Sequence, residues 1–395
     1  MDGGRPIKNW AADIEDGARE QAINVSRLPF VVAHVALMPD AHQGYGMPVG
    51  GVFMADKAIV PYAIGVDIGC GVTLLETSLM RDDLDGESIT ALLHQVSRDV
   101  PVGNGPRGGH RGLRGEPFMS SQHLHDTLDL RASVGDHLPA MLNDAENQLG
   151  TLGGGNHFLE LQYGEDDGRV YFMIHSGSRS LGKKICDRHH KIALAKNKEW
   201  HSDLPHPEVA FLPWTSGEAL VYWEDMSIAL EWAEENRRRM AGAVISAFGR
   251  VLNAKAWQTI DIHHNYAAWE NHFGKNGIVH RKGAVRAQLG DTVLIPGSMS
   301  TGSYIAKGLG NYDALMTCQH GAGRARSRAA TRKLISKDDM DRMLDDAGVI
   351  LVTPDRASVT DESAPAYKDI ESVMAASTDL VEPIQRLRPL GVVKG

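Results

Sequence analysis

Apolar and polar positions follow two periods along this chain. Short runs rich in β-branched residues, Val31 to Leu37, Val170 to Ile174 and Val349 to Val352, read as strands. Between them lie segments with helical spacing. The clearest covers Met226 to Phe248, where Met226, Leu230, Ala233, Met240 and Val244 recur on one face with charges between them, a stripe that predicts packing against a core. A further helix is expected after Ser336, with Asp339 three residues on in an approximate capping box. Strands and helices mix without a regular strand-helix repeat, which favours the α+β class over a doubly wound sheet. With no internal repeat, low-complexity tract or Pro/Ser linker, residues 1–395 read as a single domain of mixed sheets and helices.

Composition narrows the class. A chain of 395 residues that is 42% hydrophobic can bury a large core. No stretch approaches the roughly 18 uninterrupted apolar residues of a membrane helix; the best candidate, Phe30 to Met38, is short and interrupted by His34. The first residues carry Asp2, Asp13, Glu15 and Asp16 where a signal peptide is basic and then apolar, so a cytoplasmic location and no membrane partner are expected. Cys70, Cys186 and Cys318 are too few for a disulfide framework, and an odd count suits a reducing compartment. A special cysteine here is then a ligand or nucleophile.

The formal charge of -9 argues against a protein that coats nucleic acid non-specifically, because such binding rests on many Lys and Arg contacts to phosphate. Local basic sites are still open to it. Arg107, Arg111 and Arg114 form one candidate and Arg324, Arg326 and Arg328 another, each with glycines that let backbone approach a phosphate. A solvated charged surface is the plain alternative for either.

Several of the 18 histidines lie in glycine-rich, poorly periodic stretches, where function concentrates. The blocks are Met38 to Gly46, Gly65 to Gly71, Gly153 to Glu160, His175 to Arg179, His263 to Asn265 and His320 to Arg324. Asp67, Cys70 and three or more of these histidines offer carboxylate, thiolate and imidazole, a set that binds a borderline divalent transition metal. An Asp or Cys between glycines can equally be a turn residue, and the spacing matches no zinc-finger or zincin pattern. Gly103-x-Gly105-x-x-Gly108 formally matches a dinucleotide fingerprint, but Gly109, His110 and Gly112 follow where a helix should begin, so it reads as a flexible loop. The chain has no Gly-x-x-x-x-Gly-Lys-[Ser/Thr] sequence, and no Lys-x-Asp-Gly motif of lysine-dependent nucleotidyl transferases. If a nucleotide is activated covalently, another group must attack. His320 suits that role, since a neutral imidazole can attack phosphorus and Gly321, Ala322 and Gly323 leave room for a nucleotide. A loop histidine bonded to backbone is the bland reading of the same residue.

Taken together, the motifs resemble those of the RtcB RNA ligase family. The resemblance runs from about Arg19 to Val392-Val393-Lys394-Gly395. Its most specific blocks are Gly65 to Gly71, Leu152 to Glu160, His175 to Arg179, Arg281 to Ala284, Pro296 to Met299, His320 to Arg324 and Ala366 to Asp369. It implies an RtcB-like fold around a dinuclear site, with two Mn(II) ions per chain held by Asp67, Cys70, His157, His175 and His264 and the cysteine between the metals. It makes His320 the nucleophile that takes GMP from GTP, and Asn156, Phe158, Glu160, Ser298, Gly321, Ala322, Gly323, Tyr367 and Lys394 the GTP site. The implied substrates are RNA ends bearing a 3'-phosphate or 2',3'-cyclic phosphate and a 5'-hydroxyl, with an archease-type activator as a further partner of some members. Arg179, Arg324 and Arg328 are candidates for holding RNA phosphates, because a planar guanidinium grips phosphate through two hydrogen bonds. A terminal lysine is normally solvated, so Lys394 in a guanine site requires the C-terminus to fold back. Two other classes compete: a dinuclear metal-dependent phosphatase or nuclease using metal-bound hydroxide, and a protein that holds RNA ends without chemistry. Asp67 and Cys70 count against the second.

Overall fold

The strand expected at Val31 to Leu37 continues to His42 in the computed structural model, which describes residues 3–103, 118 and 128–395. This strand belongs to a five-stranded sheet with the spatial order Ile7–Asn9, Val31–His42, Val49–Ala55, Lys275–Lys282, Asn265–His272. Ala33, at φ 60°, sits where the register between Val31–His42 and Val49–Ala55 shifts, and His34 is buried there. The extra residues bend the strand, as a bulge does.

A second sheet carries the larger core. Its strands run Thr292–Pro296, Ser303–Gly308, Val381–Val393, Phe158–Gly164, Arg169–Ser176, Gly71–Met80, Ala256–His263, with Ile350–Val352 pairing in parallel with Val381–Val393. Register decides what this sheet presents. Gly71 pairs with both Ser176 and His263, and Phe158 pairs with His175. Cys70, His157, His175 and His264 therefore meet at one end of four adjacent strands, although up to 194 positions separate them in sequence (264 − 70). The C-terminal strand is interior to the sheet, and the Lys394 N–H donates to the Val352 carbonyl at 3.0 Å.

The predicted long helix spans Gly217–Leu252, capped by the Ser216 hydroxyl, which accepts from the Ala219 N–H, and ended by Asn253 in the left-handed region. Met226, Ala233, Met240 and Val244 are buried as the stripe requires, and Leu230 is partly buried. Met240, Val244 and Phe248 pack with Leu75, Phe172 and Ile174 of the large sheet. Each such side chain contributes about 1.5–3 kcal/mol of burial. The helix after Ser336 is Lys337–Asp346, with Ser336 and Asp339 in a reciprocal capping box. The chain is α+β, as the pattern of elements predicts. Among the described residues no helix is long and apolar enough to cross a membrane, and Cys70, Cys186 and Cys318 are all free and buried. Gly105, Gly108 and the Arg107, Arg111, Arg114 segment lie outside the described residues.

Candidate functional site

Where the two sheets meet, a cavity of about 470 Å³ opens. One wall is built by the strand ends just described. Cys70 Sγ lies 3.3 Å from His175 Nε2 and 3.5 Å from His157 Nε2, and Asp67 Oδ2 lies 3.1 Å from His157 Nε2. Ligand atoms of Cys70, His175 and His264 fall within 4.8 Å of one another, as do those of Asp67, Cys70 and His157. Cys70 belongs to both groups. The backs of these side chains are held: His157 Nδ1 faces the Leu152 carbonyl at 3.0 Å, which turns the Nε2 lone pair inward, and Asp67 Oδ1 accepts from the Ser178 N–H at 3.0 Å. The glycine of His175-Ser176-Gly177 is needed here, because a Cβ on Gly177 would come 2.4 Å from the Asp67 carboxylate.

The electrostatics of this wall suit a cation. Burial, reinforced by neighbouring histidines, pushes His175 and His264 well below the usual histidine range, leaving neutral imidazoles with free lone pairs. His264 Nδ1 is buried without a hydrogen-bond partner. Burial and the Asp67 charge push the Cys70 thiol well above its ordinary value. Burial also opposes ionisation of Asp67, but the adjacent His157 and the Arg179 charge outweigh this and hold its carboxyl low. Thiol, carboxylate and three imidazoles with lone pairs converging are a donor set for a borderline divalent ion, whose charge would ionise the thiol.

His320 follows the strand Thr317–Gln319 and extends a row of rings: His157 to His175 at 5.3 Å between centroids, His175 to His264 at 5.3 Å, and His264 to His320 at 4.8 Å. Its orientation is set by Asp40, a fully buried residue of the Val31–His42 strand. Both His320 Nδ1, at 2.7 Å, and the His320 backbone N–H, at 3.1 Å, donate to Asp40 Oδ2. The tautomer with the proton on Nδ1 leaves Nε2 as the free lone pair. Gly323, at φ 71°, packs its α-carbon so close to Asp40 that a Cβ would lie 2.2 Å from the Asp40 carbonyl oxygen.

The facing wall is organised by Glu362. Its carboxylate accepts from the Tyr367 hydroxyl and from Arg328, lies 3.3 Å from Arg324 and 3.6 Å from Lys394 Nζ. Burial works to raise the Glu362 carboxyl, but the Lys394 and Arg328 charges outweigh it and hold it below its usual range. Arg324 also lies over the Tyr367 ring, 5.3 Å from its centroid. Glu160, on the strand Phe158–Gly164, is compensated less. Burial raises its carboxyl to about 8 against weaker opposition from the Gln162 hydrogen bond and Lys394.

The cavity is lined by Asp67, Cys70, His175, His264, Asn156, Phe158, Glu160, Ser298, His320, Gly321, Ala322, Gly323, Arg324, Arg328, Tyr367 and Lys394, so sixteen of the eighteen residues singled out in the sequence surround one space. His157 stands behind it with its Nε2 toward Cys70. Arg179 also stands behind, with a guanidinium nitrogen 3.0 Å from His157 Nδ1 and packed so close to Gly153 that no side chain fits there. Arg326 turns away to donate to the Pro365 carbonyl at 2.6 Å.

Three residues of this site carry no assignment from the sequence reading. Asp40 lay within the glycine-rich Met38 to Gly46 block, which was its signal. Glu362 had none. Arg237 had one, since it falls between Ala233 and Met240 on the apolar stripe of the long helix. It is buried, clasps Asp261 through two bonds of 2.7 Å, and donates to the carbonyls of Gly69 at 2.7 Å and Ser176 at 3.2 Å. One guanidinium thus ties the turn before Cys70 to the end of the strand that carries His175.

Comparison with known proteins agrees with this geometry. Residues 21–395 match the family model described as tRNA-splicing ligase RtcB. The chain is 37% identical to the RNA-splicing ligase RtcB of Escherichia coli strain K12 over 99% of its own length and 97% of that protein's. It is 33% identical to the tRNA-splicing ligase RtcB of Nanoarchaeum equitans, over 99% and 95% of the two chains. With the RNA-splicing ligase RtcB of Mycobacterium bovis it shares 32% identity, over 95% and 100%. The chain belongs to the RtcB family.

Proposed function

We propose that this chain is a GTP- and Mn(II)-dependent RNA ligase that joins a 3'-phosphate or 2',3'-cyclic phosphate end to a 5'-hydroxyl end through a histidine-GMP intermediate. The observation that carries the reading is His320, held by Asp40 with Nε2 free, between a wall of metal donors and a wall of cations. The family membership supports RNA joining as the overall reaction.

Asp67, Cys70, His157, His175 and His264 would hold the metal, two ions per chain with Cys70 shared, since it is the member common to both donor groups. When bound, Mn(II) supplies positive charge to phosphate oxygens and so favours attack at phosphorus. The remaining work falls to the chain itself. Asn156, Phe158, Glu160, Ser298, Tyr367 and Lys394 bind guanosine, and the backbone of Gly321 to Gly323 lies against its phosphates. Asp40 keeps the Nδ1 proton in place while His320 Nε2 attacks the α-phosphorus of GTP and pyrophosphate leaves. An RNA 3'-phosphate oxygen then attacks the same phosphorus, the imidazole departs, and the RNA end carries GMP. The 5'-hydroxyl of the second end attacks the terminal RNA phosphate, GMP leaves, and a 3',5' phosphodiester remains. A cyclic phosphate end is first opened by water, which attacks phosphorus while its bond to the 2'-oxygen breaks, leaving a 3'-phosphate and a 2'-hydroxyl. Arg324 and Arg328 turn from Glu362 to RNA phosphate during these steps, and Arg179 adds charge from behind His157. The enzyme acts as one catalytic domain across residues 1–395, in the cytoplasm, with an archease-type protein as activator.

The test uses GTP labelled at the α-phosphate. With Mn(II), the protein should retain acid-labile label after denaturation, and His320→Ala should retain none. Absence of label on the parent, with GTP and Mn(II) demonstrably bound, would replace this reading with the metallohydrolase.

A further inference from the structure

The helix Arg179–Glu199 begins at the donor wall, where Ser178 bonds Asp67, and runs outward. Its 21 residues span about 31 Å. Lys184, Arg188, Lys191 and Lys198 fall at positions i, i+4, i+7 and i+14, so they share one face. Lys191 and Lys198 are exposed, and Lys183 stands beside the stripe, 63% exposed. Against this face the helix Leu138–Glu146 forms an open groove of about 680 Å³ lined by His137, Asp144, Lys184, Asp187, Arg188 and Lys191. Asp144 pairs with Lys184 at 2.8 Å and Asp187 with Lys183, so the two carboxylates leave the groove with a cationic surplus, on a chain whose formal charge is -9.

Side-chain contacts through Tyr62 link the groove to the lining of the catalytic cavity. Tyr45 lines that cavity and is 60% exposed. Its loop is held firmly: Lys282 donates to the carbonyls of Tyr45 and Met47, Gly46 donates to Glu208 at 2.6 Å, and Gly44 to Gln21 at 3.0 Å. The Tyr45 ring lies 6.3 Å from that of Tyr62, whose hydroxyl donates to Asp187 of the groove at 3.2 Å. A rigidly presented, solvated aromatic ring costs exposed apolar area and provides a face on which a base can stack. Beyond Asp187 the stripe offers cations about 4.5–6 Å apart along the helix between Lys184 and Lys191.

We infer that this path is an RNA track: one RNA strand leaves the cavity across Tyr45 and lays its phosphates along Lys183, Lys184, Arg188, Lys191 and Lys198. The inference rests on the reading of the cavity as the place where RNA ends are joined. Phosphate contacts of this kind carry affinity without sequence preference and are lost with salt.

The test compares the parent with a triple variant, Lys184→Gln, Lys191→Gln and Lys198→Gln, none of which touches the cavity. Fluorescence anisotropy would follow binding of a labelled single-stranded RNA of about six nucleotides and one of about thirty, across a salt series. The long RNA should bind the variant about tenfold more weakly, with the salt slope reduced by about 2, while the short RNA is unaffected. Arginine at the same three positions should restore both values. Parent-like affinity and slope on the long RNA would overturn the track and leave the stripe to an acidic protein partner or to solvent. Equal loss on both lengths would also overturn it. Binding is read without turnover, so a parent that fails to take label from GTP would strike the proposed reaction and leave this measurement intact.

Discussion

On one side of the cavity Asp67, Cys70, His157, His175 and His264 turn lone pairs toward one another; on the other, Glu362 gathers Tyr367, Arg328, Arg324 and Lys394. Both are buried polar clusters, which are costly unless each group is satisfied. The Glu362 wall is satisfied from within the chain, by opposite charges and hydrogen bonds. The donor wall is not: it has a neutral thiol, two depressed imidazoles and an orphaned nitrogen on His264. The difference separates two ways of holding a ligand. The donor wall could take a cation without giving up an internal partner, whereas the Glu362 wall would have to exchange one for an incoming group.

The sharpest separation comes from the residue between the walls. His320→Ala should lower guanylylation by at least about 10⁴-fold, while Mn(II) uptake and GTP binding, followed by equilibrium dialysis, stay near parental values. If both fell together, the walls would not be independent. Next in size is Arg237→Met, which strips Asp261 of its buried partner and releases the carbonyls of Gly69 and Ser176. Denaturant unfolding should show a loss of about 3–5 kcal/mol, and the donor wall should lose Mn(II) affinity with it. Cys70→Ala should weaken Mn(II) binding by at least about 100-fold and leave metal-free GTP binding unchanged, as electron paramagnetic resonance and dialysis would report. Deleting Lys394 and Gly395 acts on the opposite wall. The KM for GTP should rise about 10- to 100-fold with a cooperative unfolding transition retained; guanylylation at the parental KM would remove Lys394 from the site.

The last test is a pH dependence. Burial raises the Glu160 carboxyl to about 8, so at neutral pH it holds a proton that the N–H donors of a guanine bound as proposed would have to displace. GTP affinity should therefore climb from pH 6 to 8, by at most about tenfold per unit, and level off above 8. Glu160→Gln should flatten the profile. The same shift has a stability sign: the folded value lies above the unfolded 4.5, so stability present below 4.5 is lost as pH rises toward 8.

Some of this was legible in the residues. The 3.6 period predicted the long helix and its buried face, because periodicity reports which positions leave water. The capping box placed the helix after Ser336, because a cap is a local bond between neighbours in sequence. Residue types within glycine-rich blocks singled out the candidate donors and His320, which the structure brings round one cavity. Periodicity stops at the element, however, and extended the long helix only from Met226 where the chain begins it at Gly217. Arg237 sat on the apolar stripe but gave no indication of which loops it would tie, since those bonds cross up to 168 positions. Glu362 was invisible for the same reason: nothing near it in sequence marks the four groups it collects.

By itself, then, the amino-acid sequence determined the elements, the faces they bury, the chemistry of the candidate donors and the family. Only the tertiary structure decided that Gly71 pairs with both Ser176 and His263, that Asp40 orients His320, and that the C-terminal strand runs inside a sheet and delivers Lys394 to Glu362. The physical reason is that side-chain type and period are local properties. Strand register and the pairing of buried charges instead depend on which distant surfaces exclude water together.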